Sequence, residues 1–310
     1  MKKNKDIITR SSVYKRSASS KIEGKAIKWI LLACALLSVA TTVGIVVSLV
    51  VQGWNFFMEV SLWEFLTGTR WSPILKPRAY GVIPLVGGTM LVSIIAILFA
   101  APVGLGAAIY LSEYAADRVR RIVKPVLEIL AGVPTIVYGY FALSFVTPSL
   151  QKIIPNMIVF NALSAGLVMG VMIMPMISTL SEDAMMAVPR SLRNGAYALG
   201  ATRLEVALRV VVPAALSGII SSFILAVSRA IGETMLVTIA AGATPRLTAN
   251  PLESIQTMTA YIVQLSLGEA AFGSLEYNTI FAVGLLLFFI TLIMNLIGSL
   301  IVNRWRQKYE

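Results

Sequence analysis

The sequence predicts an all-α integral membrane protein with six transmembrane helices, and three observations support this. Of the 310 residues, 57% are hydrophobic and only 13% are charged, whereas ordinary soluble domains carry about 25% charged residues. Six apolar stretches reach the length of roughly 20 residues that a helix needs to cross a bilayer. Lysine and arginine are concentrated in alternate connecting segments, which is typical of multi-pass membrane proteins.

We interpret the six apolar stretches as transmembrane helices. The first is too long for the core of a signal peptide and follows a basic segment, so we expect an uncleaved helix. No internal repeat or second soluble domain is visible. The predicted transmembrane helices are 28–52, 82–112, 124–147, 157–181, 213–243 and 277–302.

The distribution of positive charge predicts the orientation of the chain. With the amino terminus inside, twenty of the 26 Lys and Arg residues lie in inner segments and five in outer loops. The remaining one, Arg229, lies within a predicted transmembrane helix. This asymmetry satisfies the positive-inside rule, so both termini are expected in the cytoplasm. The net charge of +11 is then explained by basic segments facing anionic lipid, not nucleic acid.

Two absences limit the chemistry that the chain can perform. It has no His, which removes the commonest metal ligand and general base, and Cys34 is its only cysteine. It also lacks the phosphate-binding motif G-x-x-x-x-G-K-[ST], so ATP hydrolysis by this chain is not expected. A polytopic membrane enzyme is therefore disfavoured, and we expect no metal or cofactor.

Two outer loops have patterns of their own. Aromatic residues and prolines in residues 53–81 predict a small interfacial element. In residues 252–267, four apolar residues recur at helical spacing, which predicts a helix lying at the outer surface. These four are Ile255, Met258, Ile262 and Leu265.

Several small and polar residues predict how the helices pack or bend. Gly166 and Gly170 form a G-x-x-x-G pattern, a common device for close helix packing in membranes, and Asn295 is interpreted as an interhelical hydrogen-bonding residue. Gly132 and Pro134 predict a kink in the third helix that frees a backbone carbonyl near Leu130. Such breaks occur where they face protein or a water-filled path.

The inner segment 182–213 predicts two short helices separated at Gly200. Thr202 followed by Glu205 forms a capping box at the start of the second helix. Pro213 then opens the next membrane helix. On local pattern alone, the segment is an ordinary amphipathic connector.

Arg229 and Glu233 are four residues apart in an otherwise apolar predicted helix, so we expect them to share a helix face. One interpretation is that the two charges neutralise each other. The other is that Arg229 lines a substrate path and offers its planar guanidinium to an oxyanion. Glu233 would then hold Arg229 in place, with Thr234 and Thr238 as further path residues.

The spacing in the inner segment resembles the EAA loop of ABC importer permeases. The sequence N-G-A is followed by three residues, Gly200, nine residues and V-V-V-P. Asn194 and Gly195 stand where that family usually has Glu and Ala. The resemblance implies a coupling helix that fits into a groove on a cytoplasmic ATPase. The residues implied in this coupling are Arg193, Asn194, Gly195, Ala196, Gly200 and Glu205.

Further stretches narrow the resemblance to phosphate-specific permeases of the PstC type. These stretches are A-A-P-V-G-L-G-A-A-I-Y-L-S-E-Y-A, L-E-I-L-A-G-V-P-T-I-V-Y-G-Y-F-A, S-R-A-I-G-E-T-M-L-V-T-I-A-A-G and N-T-I-F-A-V-G-L-L-L-F-F-I-T-L-I-M-N-L-I. The resemblance implies a MetI-like fold over residues 82–303. In this prediction, residues 82–303 are preceded by a basic tail (1–27) and by a first helix with its outer loop (28–81). They are followed by a cytoplasmic tail (304–310).

The same resemblance implies a function and a set of partners. The chain would form half of a phosphate pore in a bacterial or archaeal plasma membrane, beside a second permease of the PstA type. A cytoplasmic ATP-binding subunit (PstB type) and an extracytoplasmic phosphate-binding protein (PstS type) would complete the importer. A permease for another oxyanion, such as sulfate or molybdate, and a passive anion channel are the alternatives.

Overall fold

A computed structural model describes the backbone of residues 18–305 and, apart from residue 269, the side chains of residues 25–304. The predicted tails at 1–27 and 304–310 fall largely outside these residues. The helices are α1 (Ala18–Glu59), α2 (Leu62–Thr67), α3 (Ile83–Ile109), α4 (Asp117–Gly132), α5 (Thr135–Phe141), α6 (Thr147–Gln151), α7 (Ala162–Met186), α8 (Arg190–Ala198), α9 (Arg203–Val206), α10 (Val212–Ala214), α11 (Leu216–Ile231), α12 (Met235–Ala240), α13 (Met258–Gln264) and α14 (Leu275–Trp305).

The remaining regular structure is brief. Strands β1 (Trp71–Ser72) and β2 (Ala79–Tyr80) form one antiparallel hairpin. Single π-helical segments continue α3, α5, α9 and α13, and they are Tyr110–Tyr114, Ala142–Val146, Ala207–Val211 and Leu265–Glu269.

The chain divides into two compact units, residues 1–48 and 49–310. The described part of the first unit is one helix whose apolar side chains are exposed, including Trp29 and Leu37. This helix begins at Ala18, earlier than the predicted start at residue 28. The helix breaks, the inner segment 182–213 and Arg229 all lie in the second unit.

Among residues 18–305, four helical segments are long and apolar enough to cross a membrane, or six when each of two bent pairs counts as one span. The predicted all-α membrane fold is therefore confirmed. The four continuous segments are Lys25–Glu59, Ile83–Tyr114, Ala162–Met186 and Leu275–Arg304.

The third predicted helix, 124–147, is not continuous. Its two parts, Asp117–Gly132 and Thr135–Gln151, meet at 90°. Val133 is extended because it precedes a proline, which disfavours the helical conformation. Residue 134 is a proline and cannot provide the helical donor for the Leu130 carbonyl. That carbonyl accepts hydrogen bonds from the Val133 amide at 3.3 Å and from the Tyr138 hydroxyl at 2.7 Å. The sequence located the break correctly but underestimated its angle.

The fifth predicted helix, 213–243, is also interrupted. A 71° bend separates Arg203–Ala214 from α11, and α11 itself ends at Ile231. The short helix α12 follows after three residues that are not helical. The single long helix predicted here is therefore wrong.

The predicted helix over residues 252–267 is only partly correct. Helix α13 starts at Met258, and the residues before it are irregular. Ile255, Met258 and Leu265 are buried, not lying on the surface. Met258 and Leu265 belong to one cluster with Trp71 and Tyr80 of the hairpin, and Ile255 belongs to a second cluster that includes residues of α3 and α7. The segment thus packs into the protein instead of covering it.

Helices α3 and α7 form the most extensive helix contact of the described chain. Gly166 lies against Ile95, and Gly170 lies against Phe99 and the Ala96 carbonyl. The absence of side chains at these two glycines lets the helices approach closely. The predicted packing role of the G-x-x-x-G pattern agrees with this geometry.

We predict that Gly166→Val lowers the stability of the permease. A Cβ atom at residue 166 would lie 2.6 Å from a side-chain carbon of Ile95. Overpacking of this kind costs about 1–3 kcal/mol. The measurement is the midpoint of thermal aggregation of the detergent-purified chain. Gly106→Val is the matched control, because a Cβ there meets nothing within 4 Å. Equal midpoints for the two variants would contradict the packing role.

Candidate functional site

Arg229 lies in the last turn of α11, and its side chain is exposed in the isolated chain. Within residues 18–305 it takes part in no ion pair or side-chain hydrogen bond. Arg229 is therefore an available cation at the end of α11.

Glu233 does not share a helix face with Arg229, contrary to the sequence-based expectation. The helix has ended at Ile231, and Glu233 lies in the irregular link to α12. It is 7% exposed, and its carboxylate accepts a hydrogen bond from the Leu236 amide at 3.3 Å. No ion pair joins Glu233 to Arg229 in the described chain. Mutual neutralisation of the two residues is thus absent from this conformation.

The two threonines of the predicted path use their hydroxyl hydrogens locally. Thr234 donates to the Gly232 carbonyl at 3.2 Å, and Thr238 donates to the Thr234 carbonyl at 2.6 Å. A hydroxyl has one hydrogen to donate. In this conformation, neither residue has a hydroxyl hydrogen left for an anion.

Two further residues, Thr259 and Tyr138, bind backbone carbonyl groups at the helix breaks and were not assigned to the path from the sequence, whereas Ser228 was expected as a secondary donor. Thr259 of α13 donates a hydrogen bond to the Glu233 carbonyl at 2.6 Å, in the link between α11 and α12. The Tyr138 hydroxyl donates to the Leu130 carbonyl, at the break between α4 and α5. Ser228 donates to Asn295 of α14 at 2.9 Å, which matches the predicted interhelical role of Asn295. Tyr138 could have been found as a donor close after a proline break. Thr259 could not, because its partner is distant in the sequence.

The inner segment 182–213 folds as predicted into two short helices around Gly200. Gly200 has φ of 85°, and the amides of Gly200 and Ala201 bond the carbonyls of Tyr197 and Ala196. This pattern is a Schellman motif, which ends α8 and favours glycine at the left-handed residue. The predicted capping box of Thr202 and Glu205 is present at the start of α9.

The predicted coupling residues differ in their surroundings. Asn194, Gly195 and Gly200 are exposed, and Ala196 is half-buried. Arg193 points back into the protein, where it binds Glu113 and two carbonyl groups. Its guanidinium is therefore not presented on the exposed surface of α8, as a direct ATPase contact would require.

A family model described as the binding-protein-dependent transport system inner membrane component matches residues 100–307. The chain belongs to this family. The matched residues include both bent spans, Arg229 and the inner segment 182–213. The chain is thus a permease subunit of an ABC importer, in which the ATPase is a separate subunit, and a multi-pass inner-membrane protein.

Several related permeases cover most of the chain. A probable ABC transporter permease protein of Bacillus subtilis, YqgH, is 36% identical over 278 residues, covering 89% of this chain and 88% of that protein. The phosphate transport system permease protein PstC of Mesorhizobium japonicum is 33% identical, covering 88% of each protein. PstC of Haemophilus influenzae is 32% identical, covering 88% of this chain and 91% of its own.

Solved structures agree with the fold. A bacterial alginate ABC transporter chain superimposes with a TM-score of 0.65 at 16% identity, covering 91% of this chain and 96% of its own. A chain of the MetNI methionine ABC transporter gives 0.55 at 19% identity, covering 73% and 95%. The predicted MetI-like fold is confirmed by these comparisons.

We predict opposite effects of alanine at two glycines of α8 and its turn. Gly200→Ala forces a side chain into the left-handed conformation, at about 1–2 kcal/mol, whereas Gly195→Ala favours the helix by about 1 kcal/mol. Amide hydrogen exchange of residues 196–201 should therefore accelerate in the first variant and slow in the second. Neither site offers a steric conflict, since a Cβ at both meets open space. Slower exchange in Gly200→Ala would contradict this account.

Proposed function

We propose that this permease is the PstC-type subunit of an ATP-driven phosphate importer and that it forms half of the translocation pore. The observation that carries the proposal is Arg229, an exposed cation in the membrane region with no ion-pair partner in the described chain. An unpaired charge there is costly and marks a substrate path by default. A guanidinium offers paired donors that match the oxygens of a phosphate group.

The break between α11 and α12 is suited to expose Arg229 to a passing anion. Glu233 accepts a hydrogen bond from the Leu236 amide at the start of α12 and forms no ion pair with Arg229 in the described chain. Thr259 and Tyr138 satisfy the carbonyl groups that the breaks free. The path proposed here therefore contains Arg229 as the anion contact, with Glu233, Thr234 and Thr238 shaping the link beside it.

Phosphate is preferred over other oxyanions because of the related permeases. An arginine alone does not distinguish phosphate from sulfate or molybdate, since all three are tetrahedral oxyanions. Relatives named as phosphate transport permeases are 32–33% identical over 88% of the chain. This similarity supports phosphate as the substrate.

The proposed importer needs three further proteins. A PstA-type permease would supply the other half of the pore and cover the exposed face around Arg229. A PstB-type ATPase would dock on α8 and the turn at Gly200, through Asn194, Gly195 and Ala196, with Glu205 maintaining the start of α9. A PstS-type protein would deliver phosphate from outside, and both termini would lie in the cytoplasm.

We predict that vesicles containing all four proteins import phosphate in an ATP-dependent manner. Vesicles that lack the ATPase should show no uptake, and the purified chain alone should hydrolyse no ATP. Uptake is measured with radiolabelled phosphate, sulfate and molybdate in parallel. Uptake by the chain alone would indicate a passive channel, and selective uptake of sulfate or molybdate would identify another oxyanion as the substrate.

We further predict that Arg229→Gln reduces phosphate uptake by about ten- to a hundredfold, because a hydrogen bond to a charged group contributes about 1.5–3 kcal/mol. Arg229→Lys keeps the charge without the planar donors and should retain part of the uptake. The measurement is the initial uptake rate by vesicles with equal amounts of assembled complex.

Two variants separate the path role from a paired role. Glu233→Gln should have a smaller effect, because an amide oxygen can still accept from the Leu236 amide. The double variant Arg229→Gln with Glu233→Gln should remain as slow as Arg229→Gln alone. If the double variant imported phosphate at nearly the normal rate, Arg229 would not be the anion contact.

A further inference from the structure

A buried ion pair links two parts of the chain outside the proposed phosphate path. The Arg193 Nη2 and Nε atoms lie 3.0 Å and 3.3 Å from the Glu113 Oε1 atom, across 80 residues of sequence. The two side chains are 14% and 6% exposed. A buried pair of this kind holds its partners in one geometry, because separating them leaves an uncompensated buried charge.

Arg193 also holds the end of α7. It donates to the Met185 carbonyl and to the Val188 carbonyl, each at 2.7 Å. The last carbonyl groups of a helix lack helical partners and need donors of this kind. Together with Glu113, these acceptors occupy four of the five guanidinium N–H groups.

Glu113 lies in the π-helical segment that continues α3, so the pair also reaches that helix. The Ser112 hydroxyl donates to the same carboxylate oxygen at 2.9 Å. A second link lies next to it: Arg120 of α4 donates to the Leu111 carbonyl at 2.6 Å and lies 3.1 Å from Glu182 of α7. The inner ends of α3 and α7 are thus held together by charged side chains.

Helix α8 depends on this contact for its position. None of its residues is buried, so little apolar packing holds it against the rest of the permease. Only Ala196 packs, half-buried, against the neighbouring core cluster. Arg193 is the one residue of α8 with an ion pair in the described chain.

We propose that Glu113 is a positioning residue for α8. By binding Arg193, it fixes α8 relative to the ends of α3 and α7, so that a displacement of α8 is passed to both helices. This role rests on the proposed function, in which α8 docks the ATPase. Glu113 and Arg193 then act on coupling without touching the ATPase or the anion.

The first experiment tests the pair without partner or substrate. A spin label is attached to Leu199→Cys, a highly exposed residue next to α8, in a chain in which Cys34 is replaced by serine. Arg193→Gln and Glu113→Ala should each increase the mobility of the label.

Arg190→Gln is the matched control, since Arg190 is exposed on the same helix and forms no ion pair within the described residues. This variant should leave the mobility of the label unchanged. Unchanged mobility in both pair variants, or an equal increase in the control, would overturn the proposal.

The second experiment measures phosphate imported per ATP hydrolysed by the reconstituted importer. This ratio should fall by about fivefold or more in either pair variant, within the range typical of coupling between sites. The ATPase should still co-purify, and the double variant should be no worse than one single variant, since the residues act together. Additive effects or a normal ratio would overturn the proposal. Failure of the proposed function would instead appear as absent uptake by the unmodified importer, whereas the label experiment would remain valid.

Discussion

Backbone groups that lose their helical partners must find others within the chain, because an apolar surrounding offers no water to bind them. This requirement explains the most informative contacts of the permease. Tyr138 donates to the Leu130 carbonyl at one broken span. Thr259 donates to the Glu233 carbonyl at the other. Arg193 serves the end of α7 in the same way. Side-chain donors thus stabilise the helix breaks at the proposed phosphate path and the end of α7 at the inner segment 182–213.

Several buried charges are paired with opposite charges, whereas Arg229 is not. The buried Glu182 lies beside Arg120 and Lys124 at the carboxyl end of α7, and Glu113 lies beside Arg193. These pairs compensate charges that would otherwise be costly to bury. Arg229 has no such partner among residues 18–305, although it lies in the last turn of an apolar helix. The contrast separates charges that hold the structure from a charge that remains available for an anion.

The sequence predicted those features that depend on local chemistry. The turn at Gly200 needs a residue that tolerates positive φ, and the capping box needs Thr202 and Glu205 three residues apart. Both could therefore be predicted. The orientation of Arg193 could not, because its partner Glu113 is 80 residues away. The angle at Gly132 also depends on packing between distant helices, which local pattern does not specify.

Helix α11 connects the inner segment 182–213 with Arg229, the proposed anion contact. It is 16 residues long, which corresponds to about 24 Å at 1.5 Å per residue. Its first residue follows the 71° bend that ends the inner segment, and Arg229 lies in its last turn.

A regular helix transmits displacement better than an irregular segment because its backbone is internally hydrogen-bonded. The bend at one end and the irregular link after Ile231 at the other end are the points where motion can be absorbed. In the proposed importer, a displacement of the inner segment would therefore reach Arg229 as movement of one rigid element. Glu233 lies beyond the link and is held by Thr259, so it would not be forced to follow.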